Sequence, residues 1–125
     1  MNYLITGMLL IAGIIHLLPL VGVLGATHLV SLYDVKIEDP NLLILMRHRA
    51  VLFALLGAFL VYASIKPPFQ AVAILGGLVS TAAFLWLAVT ISDYNSSLTK
   101  VVYADVIAVV CLLIAASTRW LGHTA

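Results

Sequence analysis

Four hydrophobic runs occupy almost the whole chain: Tyr3–Gly25, Leu42–Ile65, Phe69–Ser92 and Val101–Trp120. Each has about the 20 residues that a helix needs to cross a bilayer. The first carries one basic side chain, His16, and the third carries no acidic or basic side chain. Only 9% of the residues are charged and 64% are hydrophobic, whereas an ordinary soluble domain holds about 25% charged residues. There are too few polar side chains to coat a globule of 125 residues in water. The sequence therefore predicts an all-α membrane protein, an up-down bundle of four transmembrane helices forming a single domain over residues 1–125. The first run is expected to be retained as a span, because no basic region precedes it, it is long for the apolar core of a signal peptide, and three more runs follow.

Breakers separate the runs. Asp39-Pro40 suits the start of the second helix, with Asp as N-cap and Pro at the first position, where no amide donor is needed. Lys66-Pro67-Pro68 ends that helix and predicts a tight antiparallel hairpin into the third. Asp93 to Ser97 reads as a polar turn before the fourth. The first connection, Ala26 to Asp39, mixes Leu29, Val30, Leu32, Tyr33 and Ile37 with polar residues. That mixture fits a segment lying at the membrane interface, or a lid over an internal cavity. No internal repeat relates the two halves, so a duplicated transporter is not supported.

An even number of spans places both termini on one side with Lys66 and Arg119. Lys36, Arg47, Arg49 and Lys100 fall on the other, beside Asp34, Glu38, Asp39 and Asp93. The count of Lys and Arg alone favours termini outside. Leaving out Arg47 and Arg49, which lie within a helix, levels the count, and the acid-rich face then points outward. The expected location is the bacterial inner membrane, multi-pass, with cytoplasmic termini.

Polar residues inside spans are expensive and therefore informative. Arg47 shares a helical face with Ala50, Ala54, Gly57 and Ala58. Small residues let membrane helices approach closely, so this face is expected to turn inward and carry Arg47 with it. Arg49 is rotated by about 200° from Arg47 and is expected nearer the lipid interface, with Lys66 and Arg119 as further interfacial cations. Asp105 lies at a depth similar to that of Arg47 and is its expected counter-ion, with Asp93 next in order. His16, followed by Pro19, is the deepest basic group on the first span. Together His16, Arg47, His48, Asp93, Tyr94, Tyr103 and Asp105 are the candidate lining of a pocket opening toward the first and third loops. The purely structural alternative is a charge pair that fixes helix register. His16 then reads as a hydrogen-bonded structural histidine, and Cys111 as a small core residue.

Familiar chemistry is missing from the sequence. There is no GxxxxGK[ST], GxGxxG, HExxH or CxxC, and no metal set is expected. The net charge of +1 leaves no electrostatic footprint for nucleic acid. No second histidine matches the depth of His16, which argues against bis-histidine haem.

The segments IIHLLPLVGVLG and EDPNLLILMRHRAVLFALLG, within His16 to Gly57, resemble a group of small bacterial four-helix membrane proteins. The arrangement is similar to that of DoxX-like proteins. Some members of the closer group bear the name phosphopantetheine adenylyltransferase, a soluble enzyme with an HxGH motif. The four histidines here stand in HLLP, HLVS, HRAV and HTA. The resemblance thus implies a fold and brings no activity or site residues. Three functions remain open: a module that binds an apolar or amphipathic molecule such as a quinone or lipid, or serves as an accessory subunit; an oligomeric transporter or channel; and an intramembrane enzyme using His16, Asp105 and Arg47. Membrane lipids are the expected surroundings, with a homo-oligomer or a larger membrane complex as the expected assembly.

Overall fold

The computed structural model describes residues 2–19, 38–91 and 93–124. The described residues form four α-helices: α1 (Tyr3–Leu17), α2 (Pro40–Ser64), α3 (Gln70–Ile91) and α4 (Ser96–Thr124). A single 3₁₀ turn, Pro67–Phe69, joins α2 to α3. The expectations for the end of the first run and for the first connection fall on 20–37, outside the described residues. By length and apolarity, α2, the segment Pro67–Ile91 and the segment Ser96–Gly122 can each cross a membrane, and α1 is shorter.

The helix starts follow local chemistry. Asn2 caps α1, its side-chain oxygen accepting from the amides of Leu4 and Ile5. Asp39 caps α2 through Asn41 N–H at 2.9 Å, with Pro40 in the first position. Asn95 caps α4 through Leu98 N–H at 2.9 Å. Such caps satisfy amides that have no partner within the helix.

Contacts along each neighbouring pair run in opposite senses. On α1 and α2, Thr6 meets Ser64, Gly13 meets Gly57 and Val61, and His16 meets Phe53. Between α2 and the following turn and α3, Tyr62 meets Phe69 and Leu56 meets Gly76. On α3 and α4, Gln70 meets Arg119 and Gly77 meets Leu112. Helix α1 also packs on α4. The core is Ile5, Leu9, Ala12, Leu60, Ala63, Ala73, Ile74, Leu112, Ala115 and Ala116. Outside it the surface is apolar as well: Ile11, Ile14, Leu52, Leu55, Val72, Leu75, Val79, Val106, Val110 and Leu113 are all exposed. An apolar exterior on this scale is unlike that of a soluble monomer.

At the Lys66 end, polar groups of all four helices form one chain. The Ser64 carbonyl accepts from Thr6 Oγ1 at 2.8 Å and from Gln70 Nε2 at 3.4 Å. Arg119 Nη1 reaches Gln70 Oε1 at 3.4 Å and the Pro67 carbonyl at 3.3 Å. Arg119, expected as an interfacial cation, thus also ties α4 to the hairpin. Cys111 is buried and free.

Candidate functional site

The candidate site lies toward the opposite end of the bundle. A cavity of about 280 Å³ lies between the end of α1, the middle of α2 and the first turns of α4. Its polar lining is His16, Arg49, Ser97, Lys100 and Asp105, and its apolar lining includes Ile15, Pro19, Phe53 and Val101.

His16 reaches it through the geometry of the end of α1. The helix ends at Leu17, and the Leu18 amide bonds back to the carbonyls of Ile14 and Ile15. Pro19 has no N–H with which to continue that ladder. The His16 ring is 2% exposed, and its Nδ1 donates to the Ala12 carbonyl at 2.8 Å. A carbonyl only accepts, so the proton of the neutral ring sits on Nδ1 and Nε2 presents a lone pair. Nε2 is buried and has no hydrogen-bond partner among the described residues. An unsatisfied buried polar atom costs on the order of 1–3 kcal/mol.

Phe53 stands between the two basic side chains. Its ring centroid is 5.8 Å from that of His16 and 4.5 Å from the Arg49 guanidinium carbon. The second spacing is a cation–π contact, made across one helical turn. Asp105 is buried on α4 and shares the cavity lining with Arg49.

This reverses the expected roles of the two arginines. Arg49 is half-buried and lines the cavity, while Arg47 is exposed and lines none of the three cavities around Arg49. The expected inward face holds at Ala50 and Gly57 but does not carry Arg47 inward, so small size is a partial guide on α2. Ala58 is exposed and Ala54 is only half-buried, whereas the interior holds Leu60 beside Ala50 and Gly57. The signal that finds Arg49 is Phe53, one turn on, in the row Arg49, Phe53, Leu56 and Leu60.

The other candidates divide. His16 and Asp105 come together in the cavity. His48, Asp93 and Tyr103 are exposed and outside its lining. Tyr94 lines a neighbouring apolar cavity of about 390 Å³ with Met46, Arg49, Phe84, Leu87 and Val102. Lys66 is exposed at the far end. Sequence reasoning missed Phe53, Ser97 and Lys100 as lining residues. Among the described residues, no three His, Cys, Asp or Glu side chains converge as metal ligands.

No family model, curated protein or solved structure matches the chain.

Proposed function

We propose that this is a four-span, up-down membrane module of DoxX-like arrangement in the bacterial inner membrane, which binds an amphipathic molecule between α1, α2 and α4. The observation that carries this reading is a cavity lined by the buried His16 together with Arg49 and Asp105. A few convergent polar groups in apolar walls are the usual form of a small-molecule site. The apolar exterior supports residence in lipid. So do the exposed aromatic side chains Tyr3, Tyr62 and Trp120 toward one end and Tyr94 and Tyr103 toward the other, as in interfacial aromatic belts. Phe53, level with His16, lies about 16 Å along α2 from Ser64 by helical rise. The site therefore lies within the apolar length of the bundle, level with the first turns of α4.

Mass spectrometry of the protein released from native membranes tests the binding reading. Wild type retains an amphiphile. His16→Leu loses it while keeping helical content and unfolding midpoint. Equal retention by the two proteins refutes the site. Topology is tested separately on a Cys111→Ala background. Lys66→Cys and His123→Cys should label from the same side, the cytoplasmic one; labelling from opposite sides refutes the four-span bundle.

A further inference from the structure

The walls of the cavity between α1, α2 and α4 carry more positive than negative charge. Arg49 and Lys100 line it against the single carboxylate of Asp105. Set against Arg49, that carboxylate leaves the Lys100 ammonium as the excess. Lys100 makes no hydrogen bond or ion pair among the described residues. It is exposed, as is Leu18 on α1, and both line the cavity. This edge of the cavity therefore lies at the exterior of the bundle.

The start of α4 adds to the positive side. Ser97, the second residue of that helix, lines the cavity with its hydroxyl-bearing side chain. Asn95 accepts from the amides of Leu98 and Thr99, and the amides of Ser96 and Ser97 come before the first intrahelical bond. That end of a helix carries a partial positive charge, which favours an anion. Asp105 stands eight residues beyond Ser97, about 12 Å further along α4 by helical rise, and is buried. The mouth is thus rich in donors, and the carboxylate lies deeper.

Deepening the binding reading above, on which this rests, we infer that the amphiphile has an anionic oxygen head, which docks at the mouth against Lys100 and Ser97, its tail following the apolar wall of Ile15, Leu18 and Val101. An anion meets both the lysine charge and the positive end of α4. A hydroxyl head leaves that charge uncompensated, and an ammonium head adds a like charge to it. Ser96 opens the segment of α4 that can cross a membrane, so the mouth stands at the level of the bilayer's own head groups. An amphiphile can dock there without lifting its tail out of lipid.

The experiment uses full-length protein in a neutral detergent and three probes of equal chain length, hexadecyl phosphate, hexadecanol and hexadecylamine, with bound copies counted by native mass spectrometry. Hexadecyl phosphate is expected to be retained in preference to the other two, and inorganic phosphate at the same concentration is expected not to displace it. Lys100→Glu, at an exposed position, turns attraction into repulsion and should lower the ratio of bound hexadecyl phosphate to bound hexadecanol about tenfold. Lys100→Gln, which only removes the charge, should lower it less. Lys66→Glu changes net charge by the same amount at the other end of the bundle, where Lys66 is exposed, and should keep the wild-type ratio. The inference is overturned if hexadecanol or hexadecylamine is retained as well as hexadecyl phosphate, or if both Lys100 variants keep the wild-type ratio. It is also overturned if inorganic phosphate displaces hexadecyl phosphate, which would make this a site for a bare anion. These results leave the broader reading standing, since that reading fails only when protein from native membranes carries no amphiphile dependent on His16.

Discussion

Gly57→Ala is expected to destabilise the protein by about 1–2 kcal/mol, and the structure shows where the cost arises. A Cβ at position 57 would stand 2.9 Å from the Gly13 carbonyl oxygen, 2.9 Å from Leu17 Cγ and 3.1 Å from the Leu17 amide nitrogen. Two of these are backbone atoms of α1 and have no rotamer by which to retreat. Ordinary contact begins at 3.4 Å, so α1 must back away by 0.5 Å from its 2.9 Å approach. A gap of about 0.5 Å forfeits roughly a quarter of each dispersion contact along the seam. Overpacking of this kind costs about 1–3 kcal/mol, and the gain in helix propensity from Gly to Ala returns at most about 1 kcal/mol. The assay is unfolding in mixed micelles of increasing SDS fraction, followed by circular dichroism. Gly7→Ala is the control: a Cβ there meets nothing within 4 Å, so the variant should be as stable as wild type or more so. If Gly57→Ala proves as stable as Gly7→Ala, close approach of α1 to α2 does not hold the bundle together and the reasoning fails.

Three further outcomes are expected. Arg49→Leu and Asp105→Leu should be non-additive in the same unfolding assay, with an interaction energy of about 0.5–3 kcal/mol, whereas Arg47→Leu and Asp105→Leu should simply add; the reverse pattern would restore Arg47 as the partner. Gln70→Leu removes both the donor to Ser64 and the acceptor for Arg119 and should cost about 1–3 kcal/mol, read as a lower SDS midpoint. Phe53→Ala takes away the ring against Arg49 and His16; it should lower the midpoint and also reduce amphiphile retention in native mass spectrometry, an effect that Leu113→Ala should not share.

Helix number, breaker positions and caps could be read from the chain because they depend on near neighbours. Asp39-Pro40 and Lys66-Pro67-Pro68 act within a turn or two, and the helices begin and end beside them. The assignment of faces on α2 could not be read this way. In a soluble helix the inward face is the apolar one, but here both faces are apolar and the contrast is lost. Small residues were the substitute signal. They marked Gly57 correctly, where α1 comes close, and misled at Ala58, which is exposed. His16 and Asp105 were legible because an ionisable side chain in a span needs an environment of its own. Lys100 and Ser97 were not, since only the level at which α1 ends brings the start of α4 beside it.

The threonine hydroxyls have a consequence for assembly. Thr81, Thr90, Thr99 and Thr118 each donate to the carbonyl four residues earlier, at 2.8–3.1 Å. These groups enter the membrane already satisfied within their own helices, so a helix carrying them can wait in lipid without its neighbours. Asp105 is different: it is buried, and Arg49, which lines the same cavity, stands on α2. The chain emerges with α2 before α4, so Arg49 is in place when Asp105 arrives. A circular permutant that delivers α4 first would strand that carboxylate during biogenesis while leaving the finished bundle unchanged.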